Sequence, residues 1–344
     1  MIKNSLTVLL ILLVLGTSLP ARQTSVTLPD VSQKAMVSQR VGLTDITITY
    51  YSPGVKKREI WGKLIPYDKT WRAGANENTT ISFTHDVKVE GKEIPKGIYG
   101  LHMIPGQEQW SIIFSKNSTS WGSYFYKKEE DALRVTVKPE EAPFLEWLSY
   151  DFTDRESHSV IASLRWEKLR VPFKIDVDVE KIVVDNLRKE LRTLPYWFWR
   201  GTHGAAQYCL KNNVNLDEAL TWIDQSINVQ RNFFNLSLKS KLLDKLGKKV
   251  EADQMMKQAM EIASEQDLTQ HAYSFASTDK EKCRTMLLDN IKRFNTWTSY
   301  RALARFYNYF QEKDNALKYF NLALKKAPAD QQEKLKATIE KLKK

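Results

Sequence analysis

Cysteine is nearly absent: the 344 residues contain two, Cys209 and Cys283. Two thiols so far apart in sequence exclude the disulfide framework that staples small secreted domains. They read as reduced core residues of helical sequence, with one disulfide between packed helices as the alternative. Histidine is scarce too, at five, and no Cys or His pair has metal-ligand spacing. No Gly-x-Ser-x-Gly elbow, zinc motif or phosphate-binding loop occurs. No metal and no cofactor is therefore expected. The longest apolar run, residues 6–15, falls short of the about 20 residues that span a bilayer.

What is present is globular. Hydrophobic residues make up 42% and charged residues 27%, which argues against long disorder and for roughly two domains at this length. Lys plus Arg number 52 against 41 Asp plus Glu, a formal charge of +11. The basic residues are spread along the chain and no nucleic-acid motif accompanies them, so no nucleic-acid partner is expected. Lys3, the apolar run and the small residues up to Ala21 have the order of a secretory signal. The expectation is an exported protein, periplasmic or extracellular, with a signal peptide at 1–21 and no transmembrane segment after cleavage.

From Val26 the texture has period two. Asp45 to Tyr50 alternates apolar and polar residues, as do Thr80 to Thr84 and Leu133 to Val137. Gly and Pro turns separate short strands with no helices between them. A further strand is expected over 123–126. The fold class is α+β multidomain: an antiparallel β-sandwich, jelly-roll-like, over 22–177, then helices.

Beyond residue 178 the period becomes 3.6. A first amphipathic helix from Val179 stops before Pro195 and reads as a bridge between domains. Tyr300, Leu303, Ala304, Tyr307, Ala316, Phe320, Ala323 and Pro328 then fall on the spacing of a tetratricopeptide unit. Ala252, Met256 and Ala259 repeat its second helix. So do Ala219, Ile223 and Ser226, whose first helix fits only with a longer loop, and Cys283, Leu287 and Asn290. Residues 178–344 thus read as a TPR-like array of α-helical hairpins, closed by a basic helix. Such arrays present a surface for protein partners. The alternative is that the hairpins only brace the sandwich. Trp197, Phe198 and Trp199 read as a hydrophobic plug at the domain junction.

The segment 50–80 mixes aromatic, cationic and amide groups more densely than any other. Arg58, Trp61, Trp71, Arg72, Asn76, Glu77 and, farther on, Trp121 are the candidate ligand-binding residues. Indole faces beside amides and guanidinium forks suit carbohydrate or another small polar ligand. Each also has a packing alternative: Trp71 as core, Arg72 as a clamp on a loop carbonyl, Asn76 as a turn residue. Glu77 with His102 or His85 is the one acid–base pairing available to a glycan- or peptide-acting hydrolase or lyase. A structural envelope component is the third reading, beside the leading one of an exported binding protein.

Tyr51-Ser52-Pro53, Arg58 through Trp61-Gly62, the run Trp71 to Glu77 (WRAGANE), Pro95 to Tyr99 and Trp121-Gly122 stand in the order of a bacterial family catalogued as domain of unknown function 2911. The resemblance covers about 32–175. It implies the β fold, export and a helical repeat region behind it. It implies no activity.

Overall fold

The computed structural model describes residues 28–343. The expected signal peptide at 1–21 lies outside them. The chain divides into two compact units, one ending at Val177 and one beginning at Asp178.

The first unit is all β. Its strands are β1 (Gln33–Val41), β2 (Thr44–Ser52), β3 (Thr80–Phe83), β4 (Val87–Val89), β5 (Lys92–Ile94), β6 (Gly97–Ile104), β7 (Trp110–Ser115), β8 (Asp131–Val137), β9 (Glu140–Thr153) and β10 (Ser159–Asp176). They form a six-stranded sheet, β1-β2-β3-β6-β7-β8, and a four-stranded sheet, β5-β4-β10-β9. Every pairing is antiparallel.

Alternation explains the layering. Ile46, Ile48 and Tyr50 of β2, Ile81 and Phe83 of β3, and Leu101 and Met103 of β6 are all buried, because period two sends them to one face. Ring contacts join the two sheets across that core: Phe114 to Phe173 at 6.1 Å and Tyr50 to Tyr150 at 4.9 Å. The long β9–β10 ribbon slips register between Arg165 and Glu167 and again before Leu169. Such bulges bend a ribbon too long to stay flat.

Between β2 and β3 the chain makes an irregular crossing. Leu148 N–H donates to Pro53 O, and Val55 N–H to Glu146 O, on β9. Trp71 and Met103 of β6 then exchange both backbone hydrogen bonds at 2.8 Å. The segment is thus tied to each sheet in turn and closes one end of the sandwich. Residues 123–126, expected as a strand, form a turn instead; two exposed aromatics, Tyr124 and Phe125, leave it no buried face.

The second unit holds α1 (Val179–Glu190), α2 (Trp199–Asn212), α3 (Leu216–Val229), α4 (Phe233–Lys245), α5 (Lys249–Ile262), α6 (Glu265–Tyr273), α7 (Lys280–Phe294), α8 (Trp297–Tyr309), α9 (Lys313–Lys326) and α10 (Ala329–Lys343). Helices α2/α3, α4/α5, α6/α7 and α8/α9 pack as hairpins. In each second helix the fourth, eighth and eleventh residues repeat one face: Ala219, Ile223, Ser226; Ala252, Met256, Ala259; Cys283, Leu287, Asn290; Ala316, Phe320, Ala323. All but the partly exposed Met256 are buried. The small residue lets the partner helix approach and the larger one fills the gap, which is the TPR-like packing the sequence calls for.

Helices α2 and α3 are joined by 213–215, no longer than the 246–248 and 310–312 connections. The longer loop expected there is not needed. Val184 of α1 packs with Ala205 and Cys209 of α2, so α1 belongs to the helical core. Leu335 and Ile339 of α10 cover the last hairpin. Trp197 and Phe198 are exposed, whereas Trp199 stacks on Phe234 at 6.4 Å.

Cys209 and Cys283 are free and buried, in separate clusters. Burial raises both thiols, Cys283 to about 11, so both stay protonated and inert.

Asn235, wholly buried, donates to Ser226 O, Ser226 Oγ and Gln230 O and accepts from Asn232 N–H, tying α3 to the start of α4. Asn235→Ala would orphan those groups. It is expected to lower stability by about 2 kcal/mol, read as a lower urea midpoint for loss of helical circular dichroism.

Candidate functional site

The crossing encloses a cleft of about 420 Å³ lined by Lys56, Arg58, Lys69, Thr70, Trp71 and Arg72, with Trp166 at its floor. Its wall is built by backbone conformations that few residues favour. Lys56, Asp68, Ala73 and Asn76 all have positive φ, which sharp reversals require. The hydrogen bonds to β6 and β9 hold these turns.

Behind the cleft lies an indole cluster. Trp61 meets Trp110 at 4.9 Å, Trp166 at 5.7 Å and Trp71 at 6.0 Å, all edge to face. Trp71 stacks on Trp166 at 6.0 Å, and its Nε1–H donates to Gly74 O. Trp71, Trp110 and Trp166 are core, and Trp61 is half-buried against them. Of the two candidates for sugar stacking, Trp61 packs edge to face with Trp71 and Trp166, and Trp71 gives one face to Trp166.

The other candidates separate. Arg58 and Arg72 line the cleft. Arg58 Nε and Nη2 donate to Val55 O and Gly54 O, at 3.0 and 2.6 Å. Arg72 makes no hydrogen bond among the described residues, and its Nε is buried. Its guanidinium lies over Trp121, 5.3 Å from the ring centroid, and Trp121 in turn stacks on Tyr124. Burial pulls the Arg72 guanidinium below its usual value. Gly122 permits this stack: its φ is positive, and a Cβ there would collide with Arg72 Nη1. Asn76 donates to Ser32 O at 3.3 Å, tethering the segment before β1. It works as a turn residue.

The acid–base pairing is not formed. Glu77 is exposed and accepts from the Tyr51 hydroxyl at 2.9 Å. His85 bonds Thr44 and Thr84. His102 lies on the far face of β6, buried, with Nδ1 3.1 Å from Ser123 Oγ. The three sit in separate hydrogen-bond settings, because period two sends His102 away from the face holding Leu101 and Met103.

Around His102 is a polar cluster that sequence reasoning missed. Tyr126 donates to Asp131 and accepts from Arg134, which also pairs with Asp131 at 2.9 Å. Burial and Asp131 push the Tyr126 hydroxyl up to about 12. Lys56 and Lys69 of the cleft were also missed. Nothing in the local sequence marks a lone loop lysine as site-lining.

The helical unit has hollows of its own. Two of them, of about 550 and 200 Å³, share Gln207, Leu238 and Lys241 and run along α2, α4 and α6. His203, Lys211 and His271 add to their rims, and no carboxylate lines either. Burial lowers both imidazoles, and Lys241 and Lys282 lower His271 further.

Among the described residues no group of three or more His, Cys, Asp or Glu is placed to hold a metal, and no helix is long and apolar enough to cross a membrane.

No curated protein matches the chain. Among solved structures it is similar to a thermophilic TPR protein of Thermus thermophilus, at 18% identity and TM-score 0.27, over 48% of this chain and 90% of that one. It is similar to the MamA protein at 13% identity and TM-score 0.25, over 44% and 83%. The C-terminal part of a TPR repeat-containing protein from Cytophaga hutchinsonii matches at 18% identity and TM-score 0.25, over 43% and 58%. The family model for "Protein of unknown function (DUF2911)" matches residues 32–175. The match runs from just before β1 into the last residues of β10, and the TPR-like array follows it in this chain.

Proposed function

We propose that this is an exported binding and interaction protein, in which the helical array takes an extended acidic segment of a protein partner. Export rests on the signal-like order of Lys3, the apolar run at 6–15 and Ala21. The observation that carries the partner reading is the pair of adjoining hollows along α2, α4 and α6. Apolar Leu238 sits there between Lys211 and Lys241, with no opposing carboxylate in the lining. A peptide with alternating apolar and acidic residues complements that lining in shape and in sign.

The β unit contributes a second site, the cleft beside Arg58, Trp71 and Arg72, for a small polar ligand. It is concave, largely preformed and anchored by both sheets. Trp71 is buried there with one face on Trp166, so carbohydrate loses its special claim.

A fluorescein-labelled Glu-rich peptide, compared with a Lys-rich one by anisotropy, tests the partner reading. The acidic probe is expected to bind more tightly, with affinity falling as salt rises. Lys241→Glu is expected to weaken it by about tenfold or more. Equal binding of both probes, or a Lys241→Glu protein that binds as before, would overturn it.

A further inference from the structure

We infer that the cleft of the β unit is an anion site, built to take a small organic molecule that carries a carboxylate or phosphate group. The inference rests on the reading of this cleft as a binding site and adds the class of ligand.

Four cations line it, Lys56, Arg58, Lys69 and Arg72, and no carboxylate appears in the lining. None of the four forms an ion pair among the described residues. Elsewhere in the same β unit, arginines do find carboxylates: Arg40 pairs with Asp45, Arg134 with Asp131 and Arg170 with Glu140. Two acidic groups of the crossing and of β9 are already hydrogen-bonded. Glu146 accepts from Lys56 backbone N–H at 2.9 Å, and Glu77 accepts from Tyr51.

The arginines differ in what they offer. Arg58 is held by two carbonyls through Nε and Nη2, a pose that fixes the fork and leaves Nη1 for a ligand. Arg72 is half-buried, has no hydrogen bond among the described residues, and rests on Trp121. Its Nε–H, kept from water without a partner, is costly, and an oxyanion is a group that satisfies it. Gathering four like charges in about 420 Å³ is costly too, through mutual repulsion. Both costs fall when an anion enters. The Thr70 hydroxyl, also in the lining, supplies a neutral donor. The volume admits a molecule of monosaccharide or tricarboxylate size and excludes a polymer chain buried along its length.

The test uses the full-length protein with 15N-labelled tryptophan. The Trp71 indole N–H, bonded to Gly74 O in the cleft wall, is the reporter. Glucose, glucuronate, glucose 6-phosphate and citrate are titrated at matched ionic strength. The expected result is a saturable shift with one or more of the three anions and none with glucose. Glucuronate or citrate responding alone marks a carboxylate ligand, glucose 6-phosphate alone a phosphate ester. Lys69→Glu, at an exposed side chain, is expected to weaken the anion by about tenfold or more, and Arg72→Gln likewise.

If glucose shifts the signal as strongly as the anions, or Lys69→Glu leaves anion affinity unchanged, the cleft binds without regard to charge. The anion inference then fails and the ligand-site reading stands. If none of the four probes moves the Trp71 signal, both fail.

Discussion

Trp166→Ala is expected to destabilise the β unit by about 3–5 kcal/mol, the range for removing a large buried aromatic. Trp166 is 1% exposed on β10 and touches two rings of the crossing, Trp61 at 5.7 Å and Trp71 at 6.0 Å. Its Nε1–H donates to Glu146 O on β9. Three things are lost together: the transfer energy of the indole, the aromatic contacts, and the partner of a carbonyl. The hole cannot close easily, because Trp71 is fixed by backbone bonds to β6 and Trp61 by the turns of the crossing. Amide exchange of Ile112 and Phe114 on β7 reads the β unit without interference from the helices. Their protection should fall by a factor matching that energy. Protection unchanged by Trp166→Ala would mean that the indole cluster does not hold this end of the sandwich. Trp166→Phe keeps an aromatic and should recover much of the loss.

How legible this was in the sequence depends on the element. Ile46, Ile48 and Tyr50 alternate in a strand with one buried face, so β2 could be read from residues alone. The same holds for the second helix of each hairpin, where Ala or Cys at the fourth place and a large residue at the eighth recur four times. The first helices carry a weaker mark. Helix α6 is short, and only Leu268 and Ala272 are buried in it, too little for a period to show. The length of β10 was hidden as well, because its bulges shift the alternation between Arg165 and Leu169.

The site was half legible. The density of Arg and Trp at 50–80 marked a segment in which Arg58, Trp71 and Arg72 line one cleft. Composition could not separate a tryptophan that packs from one that binds. Trp61 is edge-on to three other indoles, and that follows from long-range pairing. Lys56 and Lys69 became site residues only because the crossing folds back between its bonds to β9 and β6. His102 was legible as a residue facing away from Leu101, but its neighbours Ser123, Tyr126 and Asp131 arrive from a turn and the start of the next strand.

That buried histidine sets the second large expectation, a loss of β-unit stability between pH 6.5 and 4 that His102→Gln removes. Burial lowers the imidazole from 6.5 to about 4, and only Asp131 pulls the other way. Every group facing it is neutral or already committed. Ser123 Oγ sits on Nδ1, the Tyr126 ring is 5.4 Å away, and Ile113 is its cross-strand neighbour on β7. Asp131 is held by Tyr126 and by Arg134, which pairs with Ile113 from β8. An imidazolium has no free carboxylate to meet. The folded protein therefore holds the neutral ring down to about pH 4, while the unfolded chain protonates near 6.5. Between those values the unfolded state binds the extra proton, so stability falls as pH falls. The full difference is about 3 kcal/mol, present at pH 7 and gone below about pH 4, where both states are protonated. Urea midpoints for exchange of the β7 amides, measured from pH 7 to 4, should drop more steeply in the wild type than in His102→Gln. The glutamine keeps a polar group near Ser123 and cannot titrate. Other carboxylates contribute the same slope to both proteins, so parallel curves would assign the acid sensitivity elsewhere and leave His102 as a neutral packing residue.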